Sequence, residues 1–200
     1  MQLHYQIAAL YKPDVHLIGS NTIRAGIELY GAGIPAEQPA DFKKPKRKKS
    51  LPFWVVIDTK GTLNGLLHTC RQFEFCKDVV VLVSEKTASS YLQYLTTRDY
   101  TYHVVGHDHV DLKKAFRLLA KKYDAGTILT DTGRILGNLL LNQGFVDEIS
   151  LLVHPLIIGS RSYSMFSDLK SGHALRLIRC ECLEKYFVWL VYKVIRQSEK

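Results

Sequence analysis

A chain of 200 residues suits one domain spanning 1–200, and its 46% hydrophobic and 23% charged residues can bury a full core. No run approaches the roughly 18 apolar residues of a membrane span, and the opening MQLHYQ lacks the layout of a signal peptide, so the chain reads as soluble and cytoplasmic. Four cysteines fit no dense disulfide framework, and the formal net charge of +8 would imply an anionic partner if it were spread over one face.

Leu3 to Tyr11 reads as a short helix and Asp14 to Gly19 as an apolar strand. Gly19-Ser20-Asn21-Thr22 then makes a strand-to-helix junction with cap-forming side chains, leading into an amphipathic turn through Ile23 and Ala25. Much of the charge excess follows in Lys43, Lys44, Lys46, Arg47, Lys48 and Lys49, among Pro35, Pro39, Pro45 and Pro52. That composition marks a basic, solvated loop at about 31–52. Such a run could bind nucleic acid, but no aromatic residues interleave the charges and no nucleic-acid motif accompanies them.

Phe53 to Ile57 forms a buried strand ending in the polar turn Asp58-Thr59-Lys60-Gly61. Asp78 to Val83 is a continuous apolar strand, followed by a helix from about Thr87 to Thr97 with Tyr91, Leu92 and Leu95 inward. Tyr102 to Val105 is another strand, and Leu112 to Tyr123 a helix whose Leu112, Ala115, Phe116 and Leu119 face the core. Thr127 to Thr130 is a short strand punctuated by Asp131-Thr132-Gly133. A helix with apolar Ile135, Leu136, Leu139 and Leu140 stops at Gln143-Gly144, where glycine supplies a left-handed cap.

Val146 to Val153 is a further strand closed by Pro155 and Gly159, and a polar link runs through Ser160, Arg161 and Ser162. Leu175 to Leu183 and Tyr186 to Ile195 then form an antiparallel hairpin about Glu184-Lys185. The expected fold is α/β: a mostly parallel mixed sheet flanked by helices, with the hairpin as an antiparallel edge. Three polar turns at strand ends could line one extended anionic ligand, since free helical N–H groups and the dipole favour phosphate there. An ordinary strand-to-helix connection accounts for each turn equally well.

Cys180 and Cys182 lie two apart on a strand and share a face, so they could hold a metal with two further ligands or serve as structural thiols. His107 and His109 flank Asp108 in a loop without further ligands at matching spacing, and His16 and His154 sit in apolar strands as packed residues. No metal site is assigned.

VHLIGSNTIRAG, FWVVIDTKG and TILTDTGRILGNLLLNQGFVDEISLLVHPLIIG together resemble the riboflavin-pathway pyrimidine reductases, the C-terminal reductase domain of the bifunctional deaminase-reductase. The resemblance runs from about Leu3 to the C-terminus. It implies a dihydrofolate-reductase-like fold, a homodimer, and NADPH-dependent reduction of the ribosylamino group of a phosphorylated pyrimidine. By position, Gly19, Asn21 and Thr22 would meet cofactor phosphates, and Thr59, after Asp58, would lie near the adenosine 2′-phosphate. Thr132, Gly133, Arg134, Ile135 and Leu136 would cradle the pyrophosphate. Asp131 falls where the family commonly places a substrate-contacting glutamate, so it is the catalytic and substrate-binding candidate. Arg24 is a candidate for the substrate phosphate or an exposed structural arginine.

Three positions depart from the family pattern. The opening strand that should precede the first helix is missing, Gly26-Ile27 replaces an acidic pair, and Thr132-Gly133 replaces Gly-Gly. A non-catalytic nucleotide-binding or assembly member of the same fold is the alternative these departures imply.

Overall fold

The computed structural model describes residues 2–30, 36–157, 159 and 164–196, with the side chains of residues 2 and 30 left aside. Ser160, Arg161 and Ser162 of the expected polar link, and residues 31–35 at the start of the basic loop, lie outside the described residues. The chain divides into two units, Met1–Thr132 and Gly133–Lys200, each taken by itself below.

The first unit is a parallel sheet of β1 (Val15–Gly19), β2 (Phe53–Ile57), β3 (Val79–Val83), β4 (Thr101–Val104) and β5 (Ile128–Thr130), in the order β4-β3-β2-β1-β5. Its helices are α1 (Gln2–Leu10), α2 (Ser20–Tyr30), α3 (Leu67–Gln72), α4 (Ser89–Thr97) and α5 (Leu112–Tyr123). The near-continuous Val, Ile and Leu of β1 to β3 follow from burial on both faces, and all five residues of β3 are buried. Val56, Val81, Leu63, Leu67 and Leu95 join the core cluster. The expected inner face of α4 is carried by buried Tyr91 and Leu95, and that of α5 by Leu112, Ala115 and Leu119.

Parallel strands need a crossover, and these crossovers are held by polar clamps. Arg71 on α3 is 3% exposed, and its Nε donates to Asp78 Oδ1 at 3.0 Å. Its Nη1 donates to the carbonyls of Asp41 and Arg98, its Nη2 to that of Asp99, and its guanidinium lies 3.9 Å over the Tyr100 ring. One buried cation thereby ties the 3-10 turn Pro39–Phe42 to the segments entering β3 and β4. Part of the basic run is anchored as well: Lys44 pairs with Asp99, and Arg47 donates to the Gln72 carbonyl.

The second unit contains α6 (Arg134–Asn142) and an antiparallel sheet of β6 (Glu148–Val153), β7 (Ala174–Leu183) and β8 (Phe187–Ile195), in the order β6-β8-β7. The hairpin is present, and its β8 pairs with β6 rather than extending the parallel sheet. Its turn has Glu184 at φ 49° and Lys185 at φ 66°, with Tyr186 N–H donating to the Leu183 carbonyl, the geometry of a type I′ turn. Helix α6 ends as expected: Gly144 has φ 70°, and the N–H of Phe145 reaches the Leu140 carbonyl.

The apolar face expected for α6 is only partly covered, since Ile135 is 67% and Leu139 41% exposed. Asn138 is buried instead, its Nδ2 donating to the Met165 carbonyl, while Asn142 holds Asp168 and Lys170 through backbone hydrogen bonds. His154 also differs from expectation. It lies just past β6, exposed, with its ring edge-on to Phe187.

Candidate functional site

The register of the parallel sheet places its carboxyl ends side by side. Gly19 pairs with Ile57, Leu17 with Thr130, and Ile57 with Leu82. The turns after β1, β2, β3 and β5 therefore emerge along one edge. Successive strands run outward from β1 to β4, after which the chain returns to place β5 on the other side of β1. This reversal between β1 and β5 is the point at which open α/β sheets leave a crevice for ligands.

Helix α2 starts at Ser20 immediately after β1, so its first N–H groups face that edge without intrahelical acceptors. Its first turn carries no acidic residue, and Ser20, Asn21 and Thr22 are partly to fully exposed. An anion would meet the positive end of the helix dipole there. Arg24 lies one turn further on, exposed, with Nε donating to Glu28 at 3.0 Å.

The turn after β2 is built by Asp58, which is 1% exposed. Its Oδ1 accepts from the backbone N–H and the hydroxyl of Thr62, and its Oδ2 from the N–H of Leu63. The carboxylate thus points inward to form the turn, leaving exposed Lys60 as a cation of that turn. Thr87 Oγ1 donates to the Thr59 carbonyl and accepts from Ser84 N–H, tying this turn to the one after β3, where Lys86 is exposed. Neither lysine stood out in the sequence, because a single lysine in a turn carries no pattern. They stand at neighbouring strand ends because β2 pairs with β3.

Asp131 leaves β5 with its carboxylate 48% exposed and 3.0 Å from His4 Nε2 of α1. The contact is an ion pair whose geometry departs from a linear hydrogen bond. His4 holds the Asp131 carboxyl below the usual carboxylate range, and Asp131 in turn raises the imidazole of His4. Beneath them His16 is 4% exposed, edge-on to Trp54, with its Nε2 lacking a hydrogen-bond partner. Burial pushes its imidazole down to about 4, against the opposing pull of Asp131. His16 is therefore a neutral packed residue, as expected. The His4 pairing was not legible in the sequence, since His4 and Asp131 lie on distant segments.

The structure thus gathers Gly19, Asn21, Thr22, Asp58, Thr59, Asp131 and Thr132 along the strand ends of the first unit. Gly133, Arg134, Ile135 and Leu136 open α6 in the second unit, with Gly133 as the residue before the helix. Gly133 has φ −75° and ψ −176°, a conformation open to any residue. The Arg134 guanidinium is held by Asp168 and Ser167.

His107 Nδ1 pairs with Glu85 at 2.6 Å, and among the described residues no three metal-ligating side chains come together. Cys70 and Cys76 are buried, and burial pushes the Cys70 thiol up to about 12, whereas Cys180 and Cys182 are exposed on β7. No described helix is long and apolar enough to cross a membrane.

Residues 6–188 match the RibD C-terminal domain family. The chain belongs to that family. A RibD C-terminal domain accounts for the mostly parallel sheet, its flanking helices and the antiparallel hairpin, an arrangement of dihydrofolate-reductase type. The riboflavin biosynthesis protein RibD of Chlamydia pneumoniae is 26% identical over 147 residues, covering 72% of this chain. The match takes in 36% of that relative, so the chain spans about a third of its length.

Among solved structures, a pyrimidine reductase-like protein of Corynebacterium diphtheriae has a TM-score of 0.68 at 20% identity, covering 92% of this chain and 77% of that one. RibD of Acinetobacter baumannii has a TM-score of 0.67 at 15% identity, covering 98% and 51%. At these identities the structural likeness speaks for the fold of this RibD C-terminal domain.

Proposed function

We propose that this chain is an NADPH-dependent reductase of riboflavin biosynthesis, acting on the ribosylamino carbon of a phosphorylated pyrimidine such as 5-amino-6-(5-phosphoribosylamino)uracil. The observation that carries the reading is the β1–β5 reversal, with the start of α2 on one side and Asp131 on the other. Membership of the RibD C-terminal domain family supplies the substrate class.

The residues fit an anionic dinucleotide. The first turn of α2 offers N–H donors with no carboxylate, the Asp58 carboxylate is turned inward, and Lys60 and Lys86 stand exposed at the neighbouring strand ends. By family position, Gly19, Asn21 and Thr22 would hold cofactor phosphates, Thr59 and Lys60 would serve the adenosine 2′-phosphate, and Thr132, Gly133, Arg134, Ile135 and Leu136 would serve the pyrophosphate. A reduced nicotinamide cofactor supplies the hydride when bound. Asp131, kept ionised by His4, stabilises positive charge developing at the substrate's imine-like carbon. His4 acts as a positioning residue through Asp131. The chain's remaining contribution is orientation of the two reactants. A homodimer belongs to the same reading.

A non-catalytic nucleotide-binding member is the second reading, favoured by Arg24, whose guanidinium pairs with Glu28 instead of standing free for a substrate phosphate. Titration with NADPH, followed by nicotinamide fluorescence, tests cofactor binding, and single-turnover oxidation with the phosphorylated pyrimidine tests chemistry. Saturable binding with oxidation supports the reductase. Binding without oxidation supports the second reading, and absence of saturable binding at high micromolar NADPH overturns both.

A further inference from the structure

The five strands of the first unit are parallel, so their starts lie together at the end opposite the turns of the candidate site. Three separate segments bring lysines there. Lys46, Lys48 and Lys49 are exposed on the approach to β2, Lys77 comes two residues before β3, and Lys121 and Lys122 are exposed in the last turn of α5, shortly before β5. The sequence singles out the first group as a solvated run, and the fold adds the other two to it.

Contacts at this end tie the segments to one another. Lys77 N–H donates to the Pro52 carbonyl, its ammonium lies 4.3 Å over the Phe53 ring, and that ring is edge-on to Tyr123, the last residue of α5. The strap carrying Lys46 is fastened on both sides, by Lys44 to Asp99 at 3.5 Å and by Arg47 Nη2 donating to the Gln72 carbonyl at 3.0 Å. Its lysines are therefore partly preorganised, and a ligand meets them at a lower ordering cost than on a free basic tail. The nearby carboxylates are committed within the unit: Asp78 is buried against Arg71, Asp99 is taken by Lys44, Asp41 accepts from Gln72 and the Gln38 N–H, and Asp14 accepts the N–H groups of Gly126 and Thr127. Among the described residues of that end, this leaves exposed Glu74 and Asp124 against the six lysines.

We propose that this end of the first unit is a docking surface for a double-stranded nucleic acid, held through its phosphates without reading of the bases. The groups left free select that partner. Arginine forks, which read guanine edges or clamp single phosphate groups, are used inside the unit: Arg71 is buried on Asp78, Arg98 pairs with Glu37 at 2.9 Å, and Arg47 holds Gln72. The aromatic rings are engaged too, Phe53 with Tyr123 and Phe75 with Tyr5 and Phe73, whereas single strands are held by stacking their bases on free rings. What remains is a spread of ammonium groups, which matches the regular phosphates along the outside of a duplex.

The surface lies at the far end of the sheet from Asp131 and the start of α2, so the proposal goes beyond the reductase reading and does not rest on it. Each phosphate neutralised by a lysine releases condensed counterions. The plot of log Kobs against log salt concentration should therefore fall with a slope between about −3.6 for four contacts and about −5.4 for all six.

Fluorescence anisotropy of a labelled duplex of about 20 base pairs, titrated with the full chain across roughly 50–200 mM KCl, tests the surface. The expected result is saturable binding with a slope in that range. Lys48→Gln with Lys49→Gln, and separately Lys121→Gln with Lys122→Gln, should each reduce the slope by about 1.8 and weaken binding roughly tenfold or more. Lys113→Gln with Lys114→Gln removes the same charge about 12 Å away at the start of α5, beyond the screening length, and should change affinity by less than about twofold. No saturable binding at about 50 mM KCl, an equal loss in the Lys113 and Lys114 variant, or a slope unmoved by the Lys121 and Lys122 change would overturn the proposal. Tighter binding to a single strand of the same length, to polyglutamate or to phosphatidylserine vesicles would also overturn it, assigning these lysines to another partner.

Discussion

His16→Leu is expected to make the protein less sensitive to acid. In the folded state the imidazole is buried against Trp54, its Nε2 unpartnered, and burial pushes it down to about 4 from 6.5. Between those values the unfolded chain binds a proton that the folded chain refuses. Stability therefore falls as pH drops through 6.5 and levels off below about 4. At about 1.4 kcal/mol per pH unit the full window corresponds to about 3 kcal/mol, and the step from pH 7 to pH 5 to about 2 kcal/mol.

Leucine is close to histidine in volume and removes a buried unsatisfied nitrogen, so the variant should be as stable as the wild type at pH 7 or more so. Urea unfolding at pH 7 and pH 5, with unchanged m-values, measures the difference. The lowered imidazole of His103 acts in the same direction in both proteins and cancels in the comparison. Equal losses in wild type and variant would refute the assignment of acid sensitivity to His16.

Arg71→Ala should cost about 3–5 kcal/mol, because it strands a buried Asp78 and three carbonyls. A loss below about 1 kcal/mol in urea unfolding would contradict that account. Gly106→Ala should also be strongly destabilising: φ is 99°, and an added Cβ would sit 2.2 Å from the His109 carbonyl oxygen. A melting temperature like that of the wild type would contradict the geometry. Under the reductase reading, Asp131→Asn should lower single-turnover hydride transfer by about tenfold to a hundredfold while leaving NADPH affinity within about threefold. A selective loss of NADPH affinity would move Asp131 from substrate to cofactor. His4→Gln should let the Asp131 carboxyl rise toward its ordinary range, shifting the acid limb of any pH–rate profile upward.

The strands of the first unit were legible because burial on both faces leaves short, continuous β-branched runs between polar turns. Phe53–Ile57 and Leu112–Tyr123 match their expected bounds, and β1, β3 and β5 differ by one residue at their starts. Helix α3 was missed because the six residues LHTCRQ carry too little periodicity to stand out. The amphipathic turn through Ile23 and Ala25 proved to be the eleven-residue α2.

The strand over Glu148–Val153 was legible, but not its partner. Apolar content identifies a strand without saying which sheet receives it, and here β8 does. The strand-end turns of the candidate site could be read because glycine, serine, threonine and aspartate punctuate strands for local reasons. The inward turn of Asp58, the pairing of His4 with Asp131, and the clamp around Arg71 depend on side chains meeting across tens of residues. No local pattern encodes those meetings.

Asp131 follows the shortest strand of the parallel sheet, and that strand is fastened at both ends. The Asp14 carboxylate accepts the N–H groups of Gly126 and Thr127, and Thr130 Oγ1 bonds the Leu17 carbonyl. Hydrogen exchange should find the partly buried β5 opening locally and the amides of fully buried β3 exchanging only through global unfolding. The placement of the Asp131 carboxylate is therefore governed from both ends of β5, through Asp14 and through Thr130. Loosening Asp14 would blur the position of Asp131 without altering any residue around it.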